Sequence, residues 1–205
     1  LYTYWLYDYA GVNPQNGNAL WRNEEGLLTE NYGEARRINA GSPEPLWTGG
    51  FNTELSWKGI SLGIQLEARY GNKVLNQDRS LFEADGSYGD SNIWKGAMNY
   101  WKKPGDTNVL PKPVYNNSSN SSAISTRYLE DGSYLRIKDI TLAYSLPSKW
   151  TKKALMSGVR IYASALNLYT FHNMNYWDPE HGTSGATIIS YPMTRSMIVG
   201  VDITF

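Results

Sequence analysis

Residues Ile60 to Tyr70 sort strictly by odd and even number. Ile60, Leu62, Ile64, Leu66, Ala68 and Tyr70 alternate with Ser61, Gly63, Gln65, Glu67 and Arg69. A helix would scatter those apolar residues around its circumference, whereas a strand puts them all on one face. The pattern recurs just upstream, where Phe51, Leu55 and Trp57 alternate with Asn52, Glu54 and Ser56 and Thr53 falls on the apolar side. These two segments meet at Lys58-Gly59, which reads as a tight hairpin. Further on, Ile140, Leu142, Tyr144 and Leu146 alternate with Thr141, Ala143 and Ser145 until Pro147 ends the strand. Leu135 and Ile137 lie on the opposite parity, and a bulge near Asp139 is one explanation. Val159 to Phe171 is rich in β-formers. In the last segment Met197, Val199, Val201, Ile203 and Phe205 oppose Ser196, Gly200, Asp202 and Thr204, with Ile198 the exception. Counting the opening stretch Leu1 to Tyr9, about six strands are expected.

The connections constrain the fold as much as the strands. Two are short, Lys58-Gly59 and Pro147 to Gly158, while residues 10–45, 71–127 and 172–194 are long, polar and rich in Gly, Asn, Ser and Pro. Loops of that length are uncommon in compact domains. Short and long connections in alternation are the pattern of a transmembrane β-barrel, and strands of about 9–12 residues suit a tilted crossing. No run of eighteen apolar residues occurs and the mean hydropathy is −0.49, which excludes a transmembrane helix but not a barrel. The 16 Tyr and 8 Trp against 4 Phe are amphipathic rings suited to interfaces with lipid headgroups or sugars. About eight strands are the fewest that close a single-chain barrel, so the chain is expected to be a piece of a larger one, its edges pairing with strands outside it. It has no initiating Met and reads as part of something longer.

Several stretches together resemble the SusC/RagA-type TonB-linked outer-membrane transporters of Gram-negative bacteria of the Bacteroides group. They are Gly49-Gly50-Phe51-Asn52 through Ser56-Trp57-Lys58-Gly59, Tyr70-Gly71-Asn72-Lys73, and Trp101-Lys102-Lys103-Pro104-Gly105-Asp106-Thr107. The most telling is Asp131-Gly132-Ser133-Tyr134-Leu135-Arg136-Ile137-Lys138-Asp139-Ile140-Thr141-Leu142. Leu146-Pro147, the run from Val159 to Leu168, Asp178-Pro179-Glu180, Tyr191-Pro192, Arg195 and the closing Gly200 to Phe205 follow in family order. Residues 1–45 match more loosely. The resemblance implies an all-β fold, an antiparallel barrel of about 22 strands with a plugged lumen, of which residues 1–205 would be the C-terminal portion. It also implies import of oligosaccharides or peptides, a SusD-like surface lipoprotein as partner, and energy delivered through TonB. The plug and the TonB-contacting segment would lie in an N-terminal part that these residues do not include.

The candidate ligand- or partner-binding residues are aromatic. Ile93 to Lys103 sets Trp94, Ala97, Met98 and Trp101 at i, i+3, i+4 and i+7, the spacing of a short amphipathic helix. Trp94, Tyr100 and Trp101 would stack on sugar rings or pack against the lipoprotein, or else staple a long loop to the wall. Tyr176 and Trp177, beside Asp178-Pro179, pose the same choice, with a headgroup belt as the plainer reading. On the strands, Glu54, Glu67 and Arg69 are in phase with the polar residues and should face the lumen, lining a solute path or simply a hydrated wall. Arg136 and Lys138 are further charges on strands.

Other chemistries find little footing. His172 and His181 are nine apart, away from metal-ligand spacing, and Asp85 to Asn92 has calcium-friendly oxygens without the EF-hand order. No Walker loop, nucleophile elbow or dinucleotide fingerprint occurs, so no cofactor and no enzyme activity is expected. With 19 basic and 19 acidic side chains the chain has no general pull on phosphate, which speaks against nucleic acid. Zero cysteines exclude disulfides and thiolate metal sites. The rival fold is a soluble carbohydrate-binding β-sandwich, which would also show alternating strands and aromatic loops. Burial separates the two: a sandwich covers its apolar face with a second sheet, whereas a barrel leaves it to lipid.

Overall fold

The computed structural model describes residues 2–87, 92–180, 185–187 and 193–205. His181, Tyr191-Pro192 and residues 88–91 of the oxygen-rich stretch lie outside the described residues. In chain order the strands are β1 (Trp5–Tyr7), β2 (Tyr9–Val12), β3 (Ala19–Arg22), β4 (Leu28–Thr29), β5 (Arg37–Asn39), β6 (Trp47–Trp57), β7 (Ile60–Tyr70), β8 (Lys73–Leu75), β9 (Leu129–Asp131), β10 (Tyr134–Ser145), β11 (Gly158–His172) and β12 (Ser196–Thr204). Two short helices are α1 (Gln77–Phe82) and α2 (Ser148–Thr151). The chain divides into two units.

One unit comprises Pro45–Gly71, Gly132–Pro179 and the described part of Tyr191–Phe205. Its five long strands form one antiparallel sheet in the order β12-β11-β10-β7-β6, open at both edges. The register follows from the sorting of side chains, because a slip of one residue would carry a whole apolar row to the other side. Leu55 faces Leu62, Leu62 faces Leu142, Leu142 faces Ala163 and Ala163 faces Val199, an unbroken apolar row across all five strands. The parity slip on β10 is resolved by the expected bulge. Ile137 faces Leu66 and Asp139 faces Gln65, so the extra Lys138 returns Leu135 and Ile137 to the apolar side. On β11 the register moves at the same level, from Tyr169 opposite Ile137 to Leu166 opposite Asp139, with Asn167 between them at φ 50°.

That apolar face is not an interior. Val199, Val201 and Ile203 are 80%, 55% and 51% exposed, and Leu62, Ile64 and Leu66 are only half-buried. The covering sheet that a sandwich requires is absent among the described residues of this unit, so the sandwich reading fails. Aromatic rings mark both ends of the face, Trp57 and Tyr144 at one, Trp47, Tyr70, Tyr169 and Phe171 at the other. From Trp47 to Trp57 the 11-residue strand β6 runs about 33 Å. At a barrel tilt of about 40° this is about 25 Å along a membrane normal, the height of an outer-membrane apolar band.

The Lys58-Gly59 hairpin has positive φ at both central residues, 47° and 88°, the type I′ geometry whose twist matches the flanking strands. A β-carbon on Gly59 would stand 2.9 Å from the Ser145 carbonyl oxygen. Gly59→Val is therefore expected to cost about 1–2 kcal/mol, read as a lower urea midpoint of the folded full-length protein.

The other unit comprises Leu1–Glu44, Asn72–Asp131 and Glu180–Ser190, with small sheets β1-β5, β2-β3-β4 and β8-β9. Here the structure corrects two expectations. The opening stretch is not a sixth long strand: β1 spans 3 residues and pairs with β5. Leu6 turns into a small core with Leu75 and Tyr128, and Asp8, at 2.8 Å from Arg36, ends the alternation. The long polar connections are also more than loops. Trp21 is fully buried, its indole N–H donating to the Ser119 carbonyl at 2.9 Å, with Tyr9 and Tyr32 edge-on to its ring. Arg79 joins α1 to β9 by ion pairs to Glu83 (2.9 Å) and Glu130 (2.6 Å), and Arg127 holds Asp85. Burial pushes the Tyr9 hydroxyl up to about 12 and that of Tyr128 up as well.

Candidate functional site

The polar side of the five-stranded sheet gathers the strand charges. Glu67 accepts from the Tyr134 hydroxyl at 2.7 Å and from Lys138 Nζ at 3.2 Å, with Arg69 Nε at 3.9 Å. At the bulge, Asp139 accepts from Thr141 Oγ1 at 2.7 Å and Ser164 Oγ at 2.8 Å. These groups satisfy one another across strands, as a hydrated wall requires.

At the long-connection end of this unit lies a cavity of about 490 Å³. Arg136, Thr170 and His172 reach it from β10 and β11, and Tyr176, Trp177 and Asp178 from the following loop. Arg136 is fully buried and ion-paired with Asp178, which ties the loop to β10. Tyr176 sits at φ 67°, a left-handed backbone that costs a bulky residue about 1–3 kcal/mol. The Trp177 indole N–H is buried without a hydrogen-bond partner among the described residues. Guanidinium, carboxylate, imidazole and two rings on one concave surface can hydrogen-bond and stack on a polar oligomer. Both Tyr176 and Trp177 are thus brought together. Arg136 and His172 join them from the strands, with no local signal of it in the sequence.

The other candidates, Trp94, Tyr100 and Trp101, belong to the other unit. Residues 95–98 form one 3-10 turn, not the amphipathic helix the spacing predicts, since Gly96 is a poor helix residue and the Asn99 N–H closes on the Gly96 carbonyl. Trp94 stacks on Phe82 with centroids 4.8 Å apart. Trp101 is buried, donating to the Pro14 carbonyl at 3.0 Å, and a β-carbon on Gly17 would lie 2.7 Å from its ring. Tyr100 is half-buried, with Lys102 Nζ 5.4 Å from its ring centre. Asp85, first of the calcium-friendly oxygens, is instead held by Arg127.

Glu30 in this unit accepts from the side-chain amides of Asn13, Asn16 and Asn18 at 2.6–2.8 Å. The Asn18 and Asn16 bonds hold its carboxyl below the usual range. A depressed value stabilises the folded state above the unfolded pKa of about 4.3, and that contribution is lost as pH falls through the folded value. Acidification through this window, or Glu30→Gln at neutral pH, is expected to lower the amide protection factors at residues 13–18, taken relative to intrinsic exchange at each pH, roughly threefold, a screened surface effect.

Among curated proteins the chain is similar to TonB-dependent receptor P3 of Formosa agariphila, 31% identical over 182 residues, 83% of this chain and 17% of that receptor. TonB-dependent receptor P26 of the same organism is 27% identical over 210 residues, 96% of this chain and 19% of the receptor. Among solved structures, the RagAB peptide transporter matches 99% of this chain and 23% of its own, at 29% identity and a TM-score of 0.83. The RagAB peptide importer in the open-open state gives 29% and 0.84 over 99% of this chain and 22% of that one. The chain thus spans about a fifth of the length of these relatives. No protein-family model matches it.

Proposed function

This chain is a portion of a SusC/RagA-type TonB-dependent transporter, and on that premise we propose that its five long strands are wall strands of an outer-membrane barrel importing short peptides. The barrel would hold about 22 strands around a plug, with TonB engaged by a part outside these residues and a SusD-like lipoprotein presenting the solute from outside. The observation that carries the reading is the exposed apolar face crossing all five strands, backed by a hydrogen-bonded polar one. It matches the lipid side and lumen side of a barrel wall. Transport requires no chemical step by these residues.

Peptides are favoured over oligosaccharides by the cavity at the long-connection end. The exposed guanidinium of Arg195 complements the carboxylate end of a short peptide, beside the Arg136–Asp178 ion pair that shapes the cavity. The rings of Tyr176 and Trp177 support oligosaccharides as the second reading, because they suit a sugar face equally well.

The test is uptake by a strain whose only copy of the full-length gene carries Trp177→Ala, with fluorescent oligopeptides and oligosaccharides supplied separately. The expected result is a loss of peptide uptake on the order of tenfold at unchanged membrane level, as for removal of a ring contact. Loss of oligosaccharide uptake alone would select the second reading. Unchanged uptake of both would remove the cavity from the solute path.

A further inference from the structure

The connection between β10 and β11, residues 146–157, contains Lys149, Lys152 and Lys153 and no Asp or Glu. All three lysines are exposed, as are Trp150 (61%) and Leu155 (90%). The segment is folded: α2 is followed by a 3-10 turn over Lys152–Ala154, Thr151 is buried, and the Met156 N–H closes on the Thr151 carbonyl at 3.1 Å. Leu155 ends the turn at φ 58°. A β-carbon is crowded in that left-handed region, and glycine is the usual residue there. A turn bathed in water gains nothing from a strained, exposed leucine.

The surroundings of the turn give the leucine a use. It joins the strand ends where Tyr144 faces Ile161 on the apolar side of the sheet, the same end that carries Trp57 and the Lys58-Gly59 hairpin. The apolar face therefore runs into this turn. Lys58, with Nζ 4.6 Å over the Trp57 ring, repeats the pairing of an indole with a lysine at the neighbouring connection. Trp and Lys together are the residues that sit at the boundary between hydrocarbon and headgroups. The acids nearest in register, Glu54 and Asp202, belong to the polar side, and Asp202 is paired with Arg160 at 3.5 Å.

We propose that residues 148–155 form a docking site for acidic phospholipid headgroups, with Trp150 and Leu155 entering the acyl boundary and the three lysines meeting the phosphates. The inference rests on the barrel-wall reading and commits to a lipid of the leaflet that the short connections reach. Charge selects the occupant. Three ammonium groups within one turn, with no ion-pair partner among the described residues, attract a net negative surface, whereas apolar anchoring alone would leave them without a role.

The test uses the full-length transporter in lipid nanodiscs, cysteine-free except for a fluorophore at Ala154→Cys, with brominated phosphatidylglycerol or brominated phosphatidylcholine at equal mole fraction. Quenching by the phosphatidylglycerol is expected to be about threefold stronger, and to become equal for the two lipids after Lys149→Gln, Lys152→Gln and Lys153→Gln together. Equal quenching with the lysines intact, or none from either lipid, would overturn the proposal. A second probe at Val199→Cys, on the apolar face, should be quenched by both lipids alike in every variant. Its failure would count against the barrel wall rather than against the headgroup site.

Discussion

Val199→Arg is expected to remove the folded full-length protein from the outer membrane, whereas Ile198→Arg, one position away, is expected to leave it there. Val199 lies near the middle of β12, opposite Ala163, on the apolar face, and is 80% exposed. Were that exposure to water, an arginine would change stability within about 0.5 kcal/mol. Exposure to the bilayer midplane costs about 2–4 kcal/mol instead, enough to defeat assembly of a marginal strand. Ile198 is the one large apolar residue among the polar-side residues of β12, opposite Ser164, and an arginine there would face a hydrated lumen. The measurement is the heat-modifiable gel mobility of the barrel in outer-membrane fractions. Hydrophobicity alone ranks the two substitutions as equivalent, so only the sidedness of the sheet predicts opposite outcomes.

Asp178→Ala should loosen the cavity by removing the partner of the buried Arg136 guanidinium. Breaking a buried ion pair from one side costs about 3–5 kcal/mol, because a charge is left in a poor solvent without its compensation. The loss should appear as faster proteolysis at residues 173–178 and, with Tyr176 and Trp177 released, as uptake reduced on the order of tenfold or more. The sign of the double variant is the sharper expectation. Arg136→Met combined with Asp178→Ala removes both charges and should be more stable than Asp178→Ala alone. If the double variant were the less stable of the two, the ion pair would not be what fastens the loop.

The long strands could be read from the sequence because each runs nine residues or more and, apart from β11, sorts most of its apolar side chains to one side. Alternation on β7, β10 and β12 placed their faces, Lys58-Gly59 placed the hairpin, and the parity of Leu135 and Ile137 pointed to a bulge near Asp139, one position from the extra Lys138. The opposite held for the second unit. Its strands run two to four residues, too short for a period, and its ties join distant positions, such as Arg79 to Glu130 and Arg127 to Asp85 across 51 and 42 residues. The opening aromatics imitate a long strand because Tyr4 and Leu6 alternate correctly. The ion pair of Asp8 with Arg36, which ends that pattern, leaves no mark in the local sequence. At the site, Tyr176 and Trp177 stood out by residue type. Arg136 gave no hint of its partner, which lies 42 positions away and reaches it only through the turn after β11.

Nitroxide scanning of residues 60–70 in the full-length protein, reconstituted in bilayers, tests the two-sided wall most directly. These 205 residues contain no cysteine, so each position can be labelled singly once any cysteine elsewhere in the full-length protein is replaced. Labels at Ile60, Leu62, Ile64, Leu66 and Ala68 should relax with dissolved oxygen, which partitions into lipid, and those at Ser61, Gly63, Gln65, Glu67 and Arg69 with a water-soluble nickel chelate. Labels on the even-numbered positions that respond to neither reagent would place that face inside a protein core and contradict the account.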